Sequence, residues 1–432
     1  MSCIYCFFTK ENQMELKKKC FGNPRYEETL KEYKKLYLSE LQKLDYVKNC
    51  NCIDNIKDTF KNKRRKIKLF TDYLDSFLCD TKKNINDVSE CFDYIISIYD
   101  AYIKEDIYSA YNKMSDLIKK RAGWVKSQEA TSYSSLLFRA RDKKEKYDKN
   151  NIYEYFHIPF DKRFKIGNQR FSVSGQPMLY LAGSLQTALV ELDKKIDEVN
   201  VSIFMPKINN PLIYDIKNNV EDFIHISLIN IIEAGSKLKY MDIKGLFSSI
   251  FHNILTFPTN NKTKETFIQE YVLPQLLTNI LKSYGDIGIG YRSSKEHKWV
   301  IYDRYVNQLE YNICFFVTYS KNSNYNEEFL SQFYYSCDTS KIISMKELNN
   351  AITELKNYNL LLGNEGYNNS YTGIYFYNIK NHIEAMKKYK GNNYYKSDEG
   401  KIERTLIYGL INNIIEGENF TEKLVQSLSK YY

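Results

Sequence analysis

Between residues 25 and about 121, apolar side chains recur every three or four positions, and Leu30, Tyr33, Tyr37, Leu41 and Leu44 fall on one stripe. This spacing predicts a helix that opens just after Pro24, the sole proline before residue 159. Further helical periods cover roughly 53–79, 87–103 and 106–121, so residues 1–125 are expected to form an all-α unit.

The pattern then changes. Short apolar runs at 136–138, 178–181, 199–205, 212–216, 287–291, 299–302 and 313–319 predict strands. Helical stretches lie between them near 184–193, 219–233, 243–255 and 264–283, and Pro274 starts a new helix or kinks the last of these. Strands mixed with helices predict an α/β or α+β core over 126–320. From 321 to 432, segments 344–357, 379–389 and 399–416 read as helices, and polar 364–372 as a loop. No repeat or coiled-coil period is present.

Composition narrows the function classes. A chain of 432 residues predicts two or three domains. No run of 18 residues is continuously apolar, so a membrane span is not expected. The opening residues lack a secretory pattern, and a soluble cytoplasmic protein is the expectation. The net charge of +9, from 62 basic and 53 acidic residues, is mild for this length. It favours anionic ligands only weakly, and nucleic acid is not an expected partner. The basic run Lys61 to Lys68 reads as a solvated helix face.

Nine cysteines, an odd number in a large chain, argue against a disulfide framework. Cys3-x-x-Cys6 has metal-ligand spacing and Cys20 is a candidate third ligand, but Cys50-x-Cys52 is a poor fourth partner. The expectation is free thiols and no metal; zinc is not expected. No P-loop, Rossmann glycine fingerprint, HExxH or Gly-x-Ser-x-Gly elbow occurs. His297 follows Ser293 closely, yet a Ser/His hydrolase lacks an identifiable acid partner.

Four stretches of the middle region carry the candidate chemistry. They are Leu137 to Arg141, a strand with two arginines; Arg170 to Ala182; Ser184 to Glu191; and Asp286 to Ser294. The turn Ser174-Gly175-Gln176-Pro177 feeds a strand ending near Tyr180 to Ala182. Ser184 is placed to cap the next helix, with Glu191 two turns in. A helix N-terminus beside a strand end suits an anion, and Arg139 and Arg170 offer forks for phosphate oxygens. Tyr180 offers a flat face for stacking on a base or a nicotinamide ring. Glu191 is suited to an oxocarbenium-like ribose, and Ser293 to a substrate amide or hydroxyl.

In order and spacing, these motifs resemble the RES family of NAD⁺-degrading bacterial toxins over about 135–305. The resemblance rests on Phe138-Arg139, Arg170-Phe171, Gly175-Gln176-Pro177, Leu179-Tyr180, Ser184 with Ala188-Leu189 and Glu191, and Gly288-Ile289-Gly290-Tyr291-Arg292-Ser293. It implies an α+β fold, with an ADP-ribosyltransferase-like mixed β core after an all-α, HEPN-like N-terminal domain. Longer members can begin with a zinc-ribbon-like element, which would be degenerate here. Arg139 and Arg170 would hold the pyrophosphate or ribose and Tyr180 would pack on the nicotinamide side. Glu191 would act at the ribose and Ser293 at the nicotinamide end, all five converging on one cleft. NAD⁺ would be substrate, phosphate a candidate co-substrate, and an antitoxin or regulatory protein a partner. Transfer of ADP-ribose to a protein is the alternative activity, and an inactive RNA- or partner-binding protein a third reading. Ser172 stands where many members have Asn, and Arg292 where a proline is common. Arg141 competes with Arg139, and Ser294 with Ser293. HEPN ribonucleases pair an Arg with a nearby His, and here the first histidine is His157, beyond the helical region.

Overall fold

The computed structural model describes residues 2–120, 127–129, 136–143, 148, 150–207, 212–216, 220, 224, 227, 231, 243–259, 267–293, 295, 306, 308–361 and 371–428. Its helices are α1 (Ile4–Phe7), α2 (Lys10–Lys19), α3 (Tyr26–Lys43), α4 (Ile53–Thr59), α5 (Arg64–Lys83), α6 (Ile85–Ile103), α7 (Ile107–Lys120), α8 (Leu185–Leu192), α9 (Ile243–Leu255), α10 (Val272–Tyr284), α11 (Glu327–Ser331), α12 (Met345–Leu361), α13 (Tyr371–Lys390) and α14 (Asp398–Leu428). Its strands are β1 (Ser127–Glu129), β2 (Leu137–Asp142), β3 (Met178–Ala182), β4 (Val199–Pro206), β5 (Leu212–Asp215), β6 (Gly288–Arg292), β7 (Tyr311–Phe316) and β8 (Phe333–Ser336).

The chain divides into two compact units. One comprises Met1–Lys126, Gly167–Ser174 and Asp215–Tyr284; the other comprises Ser127–Ile166, Gly175–Tyr214 and Gly285–Tyr432. This differs from three consecutive stretches. The break near 125 is where the periodicity puts it, but 167–174 and 215–284 belong with the first helices, and the C-terminal helices belong with the sheet.

The first unit is helical. The stripe on α3 faces inward, with Leu30, Tyr33, Tyr37 and Leu41 wholly buried. Tyr33 meets Phe92 and Phe257 edge-on, and Tyr37 meets Phe7 and Phe92. Each large apolar side chain buried in this way contributes about 1.5–3 kcal/mol. Pro274 sits in the first turn of α10, where its missing N–H costs nothing. The basic run is not one helix, because Lys61 and Asn62 take left-handed φ and α5 starts only at Arg64. Its residues 61–65 and 68 are exposed, as a solvated face requires.

The second unit is built on an eight-stranded sheet of order β1-β5-β6-β7-β3-β2-β4-β8. The described ladders β1/β5, β2/β3, β2/β4, β3/β7, β4/β8 and β6/β7 are antiparallel. Because side chains alternate along a strand, the sheet has two distinct faces. On one, Phe138, Ala140, Val201 and Ile203 pack with α8 and with Leu355, Ile379, Leu406 and Leu410 of the last three helices. On the other, Leu137, Leu179, Leu181, Phe204, Ile313 and Phe315 pack with Tyr155, Phe156, Phe329 and Phe333. Glu403 is fully buried in the first layer, where the Tyr394 and Tyr395 hydroxyls donate to it and His382 Nε2 lies 3.1 Å away. The α+β class is as expected, and α12, α13 and α14 lie where helices were read. The expected 219–233 helix falls largely outside the described residues, and the 299–302 strand wholly so. Among the described residues no helix is long and apolar enough to cross a membrane.

Candidate functional site

The site is built around α8. Ser184 caps it, accepting from Thr187 N at 3.1 Å. The Ser184 and Thr187 hydroxyls both donate to the Leu309 carbonyl, at 2.9 and 2.7 Å. Gly183 must be glycine, since a β-carbon there would collide with the Gln308 carbonyl. The start of α8 is therefore clamped to the 308–311 segment that leads into β7. Asp193, in the left-handed region, ends the helix about two turns later.

Glu191 lies in the last turn of α8 and is half-buried. Asn312 Nδ2 donates to Glu191 Oε1 at 2.7 Å, and Lys295 Nζ donates to the Glu191 carbonyl at 2.7 Å. Neither partner was expected. Asn312 had a signal, as the polar position in the apolar run Tyr311-Asn312-Ile313-Cys314-Phe315.

Register decides which candidates share a face. Ala182 pairs with Asn312 and Tyr180 with Cys314 across β3/β7, while Tyr291 pairs with Asn312 across β6/β7. One step further, Ser293 N donates to the Glu310 carbonyl at 2.9 Å. Tyr180, Ala182, Asn312, Tyr291 and Ser293 thus lie on one face, the face Glu191 reaches through Asn312. Ser293 is almost fully buried and its Oγ accepts from Lys295 N at 3.2 Å. Glu310, also buried, comes to the same place.

The expected convergence of five residues needs correction for Arg139. Phe138 pairs with Ala182, so Phe138 belongs to the Tyr180 face and Arg139 to the opposite one. A one-residue offset in a strand reverses the face. Arg141 shares the side of Arg139, and its Nη2 donates to the Phe156 carbonyl at 2.9 Å. On that side lies His157, fully buried, with Nδ1 2.8 Å from the Ile158 carbonyl and Nε2 accepting from Asn326 N at 3.0 Å. Burial, with the positive charges of Arg139 and Arg141, lowers the His157 pKa to about 4.

Arg170 belongs to the other compact unit. Its Nη1 donates to the carbonyls of Leu255 and Phe257 at 3.1 and 2.9 Å, at and just past the C-terminal end of α9, and its guanidinium stacks over Tyr271. Ser294 and His297 lie outside the described residues.

Cys50-x-Cys52, read as a poor fourth partner, is brought against Cys3-x-x-Cys6. The sulfurs of Cys3, Cys6, Cys50 and Cys52 all lie within 4.8 Å of one another. Cys20 is not among them; its thiol donates to the Leu16 carbonyl at 3.2 Å.

Comparison with known proteins gives one partial likeness. The chain is 29% identical over 152 residues to a Bacillus subtilis (strain 168) protein named "Putative toxin YopC". The match spans 34% of this chain and 34% of that protein, so about two thirds of each lies outside it. No protein-family model and no solved structure matches the chain.

Proposed function

We propose that the protein consumes NAD⁺ by breaking the nicotinamide–ribose bond, using the sheet face that carries Tyr180, Glu191 and Ser293, and that it acts as a toxin. The observation that carries the reading is the Glu191 carboxylate, half-buried and fixed through one oxygen by Asn312, on the face shared by Tyr180 and Ser293. In the reaction, nicotinamide leaves with the bonding electron pair and positive charge builds on the ribose. Glu191 stabilises that charge, and the order imposed by Asn312 means little reorganisation is needed as it develops. Water or inorganic phosphate then adds to the ribose carbon and gives up a proton. Tyr180 supplies a flat surface against the nicotinamide, and Ser293 a polar contact at the same end. The likeness to a protein with a toxin's name supports the biological direction over the stretch it covers. An inhibitory antitoxin protein is the partner this reading implies.

The test is incubation of the purified chain with NAD⁺, with and without phosphate, and identification of products. Free nicotinamide with ADP-ribose, or with its phosphate ester when phosphate is present, is the expected result. ADP-ribose attached to added protein would replace hydrolysis by transfer. Unchanged NAD⁺ under all these conditions would overturn the reading.

A further inference from the structure

We infer that Cys3, Cys6, Cys50 and Cys52 form a closed structural zinc site in the helical unit. Cys3 caps α1 and Cys6 lies within it, while Cys50 and Cys52 come from the segment between α3 and α4, more than forty positions away. Cys3 and Cys50 are buried, and Cys6 and Cys52 half-buried.

The spacing of the sulfurs fits a single tetrahedral ion. Four thiolates placed tetrahedrally about 2.3 Å from a zinc ion lie about 3.8 Å from one another. Cys3 Sγ is 3.5 Å from Cys52 Sγ, and Cys6 Sγ is 3.7 Å from Cys50 Sγ. A disulfide would need about 2.05 Å, so neither pair is bonded. The upper limit of 4.8 Å over all pairs leaves room for one ion and not for the several atoms of an iron–sulfur cluster. A tetrahedral all-sulfur set selects a soft divalent ion.

The surroundings are those of a ligand cage. Ser2 Oγ lies 2.7 Å from Cys50 Sγ, and Cys52 N donates to the same sulfur at 3.5 Å. Such donors stabilise a thiolate and orient it. The backbone is tied at the same corner: Asp45 N donates to the Ser2 carbonyl at 3.0 Å, and Cys3 bridges to Asp45. Phe7 N donates to the Cys3 carbonyl at 2.9 Å. Binding exchanges up to four thiol protons for the ion, and with four protein ligands no coordination position stays open for catalysis. The role is to pin residues 2–7 to the start of α4. This assignment is independent of the NAD⁺ reading, and its test does not use NAD⁺.

The experiment takes the full chain purified from zinc-supplemented medium and measures bound metal, then replaces zinc by cobalt(II). About one zinc per chain is expected, with the visible bands of tetrahedral thiolate-bound cobalt after exchange. Cys50→Ser and Cys3→Ser should each lose most of the metal, while Cys20→Ser and Cys79→Ser should keep it. Removing zinc from the wild type with a strong chelator should lower the melting temperature. Should the serine variants prove insoluble, the metal content and cobalt spectrum of the wild type still decide. Wild-type protein with far less than one zinc per chain and no thiolate–cobalt band overturns the inference. So does iron in place of zinc, or full retention of zinc by the Cys50→Ser variant.

Discussion

His157 and Glu191, on opposite faces of the eight-stranded sheet, are held in opposite ways. On one, His157 has no exposure and both ring nitrogens are engaged, while Arg141 is held by the Phe156 carbonyl. On the other, Glu191 is half-buried with one oxygen held by Asn312, and half-buried Tyr180 stands on the same sheet face, two positions before the Ala182 that pairs with Asn312. Buried polar groups are costly unless partnered, so the first arrangement is what a fold needs to bury a histidine at all. A carboxylate held by one oxygen at the edge of solvent is oriented while the other oxygen can still meet a ligand. The contrast separates groups that stabilise the fold from groups suited to chemistry.

The largest effect expected from breaking this contrast is at Glu191. Glu191→Gln keeps the shape and removes the charge. Losing one preorganised contact to a developing charge costs about 10²–10³ in rate. NAD⁺ turnover should fall by that much with the melting temperature unchanged. Near-wild-type turnover would show that the carboxylate is not the charge-stabilising group.

On the opposite face the expected effect is on stability, through His157. Its folded pKa is lowered to about 4 from an ordinary 6.5. Between those values the unfolded chain binds a proton that the folded chain does not. Stability from this residue is therefore complete above about pH 6.5 and is lost as pH falls towards about 4. The loss is on the order of 3–4 kcal/mol at most, at 1.36 kcal/mol per pH unit. Denaturant unfolding from pH 7 to 4 should show this slope, and His157→Gln should flatten it. An unchanged slope in the variant would assign the effect to other groups.

Asn312 tests how far orientation matters. Asn312→Ala removes the hydrogen bond to Glu191 without touching its charge. A hydrogen bond to a charged group is worth about 1.5–3 kcal/mol; solvent replaces part of it here, so a loss of about tenfold in kcat is expected. Asn312→Asp should be worse, because it sets a second negative charge against the first. A pH–rate profile would register that repulsion, whereas a purely structural defect would leave the profile in place.

Much of this contrast was legible in the sequence, and its limits are physical. Ser184 and Glu191 were readable because capping and helical spacing are local, and α8 lies where both placed it. The stripe on α3 was readable for the same reason. The side of the sheet on which Arg139 stands was not, because it depends on the register of β2 against β3, a long-range property that one residue reverses. Nor was the thiol corner, where Cys50-x-Cys52 meets Cys3-x-x-Cys6 only after the chain folds back between α3 and α4. Strand β8 was missed because Phe333–Ser336 is a short four-residue run. The grouping of 215–284 with the first helices leaves no trace in local composition.

The smallest expected effect is the sharpest test of the two-face division. Arg139 was the natural phosphate ligand by its position in the chain, yet β2 pairs Phe138 with Ala182 and Arg139 with Ser202, which turns the guanidinium away from Tyr180. If the chemistry is confined to the Tyr180 face, Arg139→Gln should leave kcat/KM for NAD⁺ within about twofold, a change well under 1 kcal/mol. It should instead raise the His157 pKa, because Arg139 is one of the charges that hold it down. The acid limb of the stability curve would then level off at a higher pH and lose less in total, since the folded and unfolded pKa values draw together. The two readouts run in opposite directions under the alternative. An arginine that holds pyrophosphate would raise KM for NAD⁺ many-fold when replaced, and a collapse of NAD⁺ affinity with no movement of the His157 titration would put Arg139 back in the site.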